Sequence, residues 1–131
     1  MKNRIIFFVS DRTAITAETL GNTLMTQFES VKQERHVIPF IDTEKRALEV
    51  RDRINKVSAN SEERPIVFST FTDDKLREII SLSDCLFYDL FNDYITRMEA
   101  DLSQESSHVA GKSHGLVDRN SYESRIRAVN Y

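Results

Sequence analysis

Five apolar residues in succession, Ile5-Ile6-Phe7-Phe8-Val9, give way at once to Ser10-Asp11-Arg12-Thr13. A run of this length with no polar alternation reads as a strand buried on both faces. Behind the polar cluster, Ala17, Leu20, Leu24 and Phe28 recur every three to four residues, the apolar stripe of an amphipathic helix. The cluster is therefore predicted to lie on a strand-to-helix turn, at the carboxyl end of a buried strand. Open α/β sheets bind their ligands there.

This turn carries Ser10, Asp11, Thr13 and Thr16 around Arg12. Serine, threonine and aspartate cap helix N-termini because their oxygens accept bonds from unpaired backbone N–H groups, so at least one of the four is expected to serve as a cap. Four such residues and a guanidinium exceed what a cap requires. Free N–H groups, the helix dipole and the Arg12 charge also suit an anion such as phosphate or carboxylate. Both readings stand on the residues alone. A second turn of the same kind, Ser69-Thr70-Phe71-Thr72-Asp73-Asp74, follows the apolar run Pro65–Phe68. Thr72 or Asp73 is a natural cap there; the functional alternative is that this turn flanks the first and completes a cleft.

The rest of the chain repeats the pattern. Residues 35–40 read as a second strand, with Pro39 at its end or at a sheet edge because proline cannot donate a ladder bond. Asp42 or Thr43 caps a long helix with Ala47, Val50, Ile54 and Val57 on its apolar stripe and a charged opposite face. Leu76, Ile79, Ile80 and Leu82 mark a third helix. A fourth run, 85–91, is followed by Asn92 or Asp93 as a cap and by Tyr94, Ile95, Met98 and Leu102 as a helix stripe. Strands near 4–9, 35–40, 65–69 and 85–91, each followed by a helix, predict a doubly wound parallel α/β sheet, three-layered and Rossmann/flavodoxin-like. The first strand is expected to be internal, and the domain to end near residue 104.

Composition excludes several classes. The net charge of −3, with acids and bases interspersed, argues against a nucleic-acid binder needing a basic face. A single cysteine, Cys85, permits no intrachain disulfide or multi-thiolate metal site, and its apolar surroundings suit a small buried hydrophobe. The apolar run after Met1-Lys2-Asn3-Arg4 is too short for a signal peptide. No run approaches the roughly 20 apolar residues of a membrane span, so the expectation is a cytoplasmic protein.

Residues 105–131 read as a linker and the start of a further helix, on which Tyr122, Ile126 and Val129 share a face. Gly111-Lys112-Ser113 is not a P-loop: Ser106 stands where that motif needs its first glycine, and no strand precedes it. His108 and His114 lie six apart without a thiolate, which does not suit zinc.

The run Phe8-Val-Ser-Asp-Arg-Thr-Ala-Ile-Thr-Ala-Glu-Thr-Leu-Gly21 resembles the opening signature of the phosphoenolpyruvate synthase regulatory protein family. These are bifunctional kinase/pyrophosphorylases related to the pyruvate, phosphate dikinase regulatory proteins of plants. Thr26-Gln27-Phe28, Pro39-Phe40, Arg64–Phe68, His114-Gly115 and Tyr122–Tyr131 extend the likeness along the chain in order. One departure is Arg12, where the family usually has glycine. The resemblance implies ADP-dependent threonine phosphorylation of phosphoenolpyruvate synthase and its phosphate-dependent reversal. It also implies that the family continues past residue 131 into a C-terminal kinase domain with a phosphate-binding loop, where ADP or ATP binds. On this view residues 1–104 shape the target site or a homodimer, Ser10–Thr16 offer an anion site, and His114-Gly115 contact the neighbouring domain or active site. The chain alone, which lacks that loop, is then expected to be inactive, with no cofactor or metal of its own.

A different class of function is a standalone α/β module that binds an anion or small ligand without catalysis. A receiver-type module needs an aspartate at the end of the third strand, where Phe68-Ser69-Thr70 stands, and a dinucleotide site needs a glycine-rich first turn. Neither is present.

Overall fold

The computed structural model describes residues 3–107. Along the chain run β1 (Arg4–Val9), α1 (Ile15–Met25), β2 (Gln33–Ile38), α2 (Glu44–Ala59), β3 (Ile66–Ser69), α3 (Asp74–Ser81), β4 (Leu86–Asp89) and α4 (Asn92–Leu102). The four strands form one parallel sheet in the order β2-β1-β3-β4. This is the expected doubly wound α/β arrangement, and β1 is internal because Ile6 to Val9 are buried on both sheet faces.

Strand alternation divides the core. Phe7 and Val9 of β1 and Val67 of β3 point to the face covered by α2 and α3, where Ala47, Val50, Ile54, Leu76 and Ile80 pack on them. Ile6, Phe8, Ile66 and Phe68 point to the other face, against Ala17 and Met25 of α1. Cys85 is buried at the entrance to β4, and that burial pushes its thiol up to about 11.

Three details differ from the sequence expectation. The second strand begins and ends two residues earlier than 35–40. Its continuation is broken at Pro39, which has no N–H, and Phe40 turns the chain with φ of 58°. The fourth strand is Leu86–Asp89, shorter than 85–91.

The third difference concerns α1, whose buried stripe is Ala17, Gly21 and Met25 rather than Ala17, Leu20, Leu24 and Phe28. Glycine brings the helix so close to the sheet that a β-carbon at position 21 would lie 2.6 Å from Phe8 Cε1 and 2.8 Å from Phe68 Cδ2. The small-residue stripe thus faces inward, and Leu20, Leu24 and Phe28 are left 37%, 43% and 56% exposed.

The caps follow the expectation at α2 and α3, where Thr43 accepts from the Arg46 N–H at 3.1 Å and Asp73 from the Leu76 N–H at 3.0 Å. At α4 neither Asn92 nor Asp93 caps. Asp89 Oδ1 accepts instead from the N–H groups of Phe91 (2.9 Å) and Asn92 (2.7 Å). No residue of α4 is buried. The expected segment 105–131 falls, from residue 108 onward, outside the described residues, and with it His108, His114 and Gly115. Among the described residues no helix is long and apolar enough to cross a membrane.

Candidate functional site

In a sheet of order 2-1-3-4 the connections leave β1 and β3 in opposite directions, so a crevice opens between their carboxyl ends. The two polar turns named above lie there. Val9 pairs with Ser69 at the last rung between β1 and β3, and Ser69 pairs in turn with Asp89 of β4.

The turns are tied to each other through buried side chains. Asp11, 8% exposed, directs Oδ2 at the second turn and accepts three bonds: from the Thr72 N–H at 3.1 Å, the Thr72 hydroxyl at 2.8 Å and the Asp73 N–H at 3.1 Å. The Ser10 hydroxyl, also buried, donates to the Thr70 carbonyl at 3.2 Å and accepts from the Arg12 N–H at 3.0 Å. The Thr70 N–H donates to the Val9 carbonyl at 3.1 Å. A carboxylate that accepts three donors from one loop fixes that loop's position, because leaving those donors unpaired in a buried site costs more than the bonds return in water.

The side chains therefore divide by direction. Ser10, Asp11, Ser69 and Thr70 are buried and Asp73 is committed to α3; Arg12, Thr13 and Thr16 are exposed. Thr72 is half-buried and spent on Asp11. Two buried oxygens, Asp11 Oδ1 and Ser69 Oγ, have no hydrogen-bond partner among the described residues.

The expectation that one of the first turn's residues caps α1 is corrected. Its N-cap position is Ala14, in the left-handed region at φ 69°, with no side-chain cap. Thr13 Oγ1 accepts only from the Ile15 N–H, at 3.3 Å. The reason is visible in the bonds above: Ser10 and Asp11, which have the chemistry of caps, are turned inward to hold the second turn.

Two residues of this edge were not singled out from the sequence. Asp89 ends β4 beside Ser69, and its Oδ2 lies 3.5 Å from Arg77 Nε, while Arg77 also pairs with Asp74 at 2.7 Å. Burial raises the Asp89 carboxyl above its ordinary value, opposed by the two α4 N–H groups it accepts. An aspartate closing an apolar strand-length run was the available signal. Phe40 is 57% exposed in a left-handed conformation, and its N–H donates to the Arg12 carbonyl at 2.7 Å. Nothing in the pattern Pro39-Phe40 announces a positive φ at a bulky residue.

Comparison with known proteins decides the family. A family model described as kinase/pyrophosphorylase matches residues 6–131. The chain belongs to this family. A relative from Alkalilimnicola ehrlichii, provisionally named phosphoenolpyruvate synthase regulatory protein, is 48% identical over 128 residues, covering 98% of this chain and 46% of the relative. Relatives of the same provisional name are 44% identical in Marinobacter nauticus and 46% in Halorhodospira halophila, each over 98% of this chain and 47% of their own length. The chain thus spans about half the length of these curated relatives. For this member of the kinase/pyrophosphorylase family, the geometry says which residues scaffold the edge of the sheet and which face outward.

Proposed function

We propose that this chain is the sheet-bearing part of a regulatory enzyme acting on phosphoenolpyruvate synthase. In one direction the β-phosphoryl group of ADP passes to a threonine hydroxyl of the target, leaving AMP. In the other, inorganic phosphate takes the phosphoryl group from that threonine and departs as pyrophosphate. The observation that carries this reading is the 48% identity over nearly the whole chain with a relative bearing that name. The same reading makes the protein cytoplasmic, allows a homodimer, and assigns His114 and Gly115 to a contact with the neighbouring domain.

The described residues do not fit a nucleotide cradle. The only glycine among them, Gly21, is buried in α1, and Asp11, Asp73 and Asp89 lie along the carboxyl edge of the sheet. Phosphate cradles need close backbone approach and positive charge. ADP is therefore assigned to the part of the relatives that this chain does not match.

The role of the edge described here is recognition of the phosphorylated target. Arg12 brings the charge, Thr13 and Thr16 bring hydroxyl donors, and Asp11 holds the turn against Thr72 and Asp73 instead of meeting the anion, which it would repel. The test is a hybrid protein in which this chain replaces the matched stretch of the Alkalilimnicola ehrlichii relative. Incubated with ADP and phosphorylated phosphoenolpyruvate synthase, the hybrid is expected to label a target threonine, and Arg12→Ala or Thr13→Ala to lower the rate. A folded hybrid with no phosphotransfer in either direction refutes the proposal.

A further inference from the structure

The face of the sheet that carries α1 is incompletely covered. Between α1 and β3–β4 runs a groove of about 450 Å3, floored by Phe68 and Leu86 and rimmed by Leu24, Phe28 and Tyr88. Leu24 and Tyr88 also line an adjoining hollow of about 430 Å3 that reaches Tyr94 on α4. From Tyr94 the exposed stripe continues at four-residue spacing through Met98 and Leu102. With Leu20, seven large apolar side chains are 37% to 64% exposed here. Apolar side chains gathered in this way are more than singly scattered surface residues explain.

Polar groups rim this face: Asp89, Asp93 and Arg97 line the hollow beside Tyr94, and Arg4 the groove. The Arg4 Nη1 pairs with Glu63 at 2.8 Å, but its Nε is buried and has no hydrogen-bond partner among the described residues. A buried N–H without an acceptor costs free energy that an incoming oxygen recovers. The occupant is thus largely apolar, with polar groups to meet those at the rim.

We infer that this face seats the part of the family's polypeptide that lies outside the stretch matched by this chain. The relatives carry that part covalently, since the matched stretch is 46% to 47% of their length. In polypeptides of the relatives' length, an open apolar face on the matched stretch is where the remaining part would pack. The inference rests on the family reading above and assigns the outer side of α1, β4 and α4 to domain docking.

Hydroxyl-radical footprinting tests it, because phenylalanine, tyrosine and methionine report directly. In the hybrid described above, Phe28, Tyr88, Tyr94 and Met98 are expected to oxidise at least fivefold more slowly than in the 131-residue chain, with Phe40 unchanged as a control. Leu24→Asp in the hybrid is expected to restore the rates at Tyr88 and Tyr94. Equal rates in both proteins overturn the inference. So does protection already present in the 131-residue chain, whether independent of concentration, as when its own residues 108–131 cover the face, or rising with concentration, as for a second copy. Where the hybrid does not fold, co-expression of this chain with the unmatched part of the relative decides: protected co-purification in equal amounts supports the inference, and none refutes it. Protection without phosphotransfer sinks the proposed reaction alone; phosphotransfer without protection sinks this inference alone.

Discussion

Replacing Gly21 with alanine sets two effects of opposite sign against each other. In an exposed helix interior the change stabilises by about 1 kcal/mol, because glycine loses more backbone freedom on folding. At position 21 the new β-carbon meets Phe8 Cε1 at 2.6 Å and Phe68 Cδ2 at 2.8 Å, well inside contact distance. Both rings are buried and stack on each other at 5.7 Å, so neither moves without displacing the other. Forcing extra volume into such packing costs about 1–3 kcal/mol. With a methyl group driven against two rings, we place the cost at the upper end and the net loss at about 1–2 kcal/mol, a Tm lower by roughly 4–10 °C for a domain of this size. Urea and thermal unfolding of the purified chain measure it. Phe8→Leu removes the nearest ring atom, so in that background Gly21→Ala is expected to cost less or to stabilise, a coupling that a double-mutant cycle isolates. A rise in Tm for Gly21→Ala in the wild-type background would refute the argument that close packing, and not chance, places glycine on the buried stripe.

Three further outcomes follow from the same structure. Asp11→Ala strands the Thr72 hydroxyl and two N–H groups and is expected to lower stability by about 3 kcal/mol, against about 1 for Asp11→Asn, which keeps an acceptor oxygen; a urea midpoint unchanged by Asp11→Ala refutes the tie between the turns. Phe40→Gly relieves left-handed backbone at φ 58° where the side chain is exposed and is expected to raise stability by about 1 kcal/mol, read as an upward shift in Tm. Asp89 is raised above its ordinary 3.8 chiefly by burial, so the folded state holds that proton more tightly than the unfolded chain. Its contribution to stability therefore falls as pH rises from 3.8 through the raised folded value. Asp89→Asn keeps the acceptor for Phe91 and Asn92, and is expected to be at least as stable as wild type at pH 7, with that advantage gone near pH 3. A clear loss at pH 7 would show that the Arg77 pairing outweighs desolvation.

Much of the fold was legible because its signals are local and strong. Ile5–Val9 has no polar residue to place on a solvent face, so an internal parallel strand follows, and Thr43 and Asp73 stand where a cap must stand. The errors lie where one local signal competes with a non-local one. Leucine and phenylalanine at 20, 24 and 28 outweigh glycine in any reading by hydrophobicity, yet the closest approach of α1 to the sheet requires the residue with no side chain. The approach depends on Phe8 and Phe68, 13 and 47 positions away, which periodicity within α1 does not contain. The candidate site divides in the same way. That two polar turns follow β1 and β3 is written in the sequence, and so is their place at the switch point once the strand order is known. That Asp11 spends one oxygen on three donors from residues 72 and 73 is a tertiary fact, and it leaves α1 with Ala14 at its N-cap.

The departure at Arg12, where the resemblance leads one to expect glycine, can be resolved through the backbone. Positive φ occurs at Ala14 and Phe40 and not at Arg12. The reason is that residues 10–12 remain paired beyond the strand: the Ile41 N–H donates to the Ser10 carbonyl at 2.9 Å and the Phe40 N–H to the Arg12 carbonyl at 2.7 Å. The left-handed bend that enters α1 is displaced to Ala14, whose single methyl fits the buried position. An arginine at position 12 therefore meets no conformational penalty that glycine would avoid. Nor is its charge cancelled by the adjacent carboxylate, because Asp11 Oδ2 is directed at Thr72 and Asp73, and no ion pair to Arg12 exists among the described residues. Position 12 thus sets the charge presented at the rim while Ser10 and Asp11 beneath it hold the geometry, so a change at position 12 alters that charge without refolding the edge.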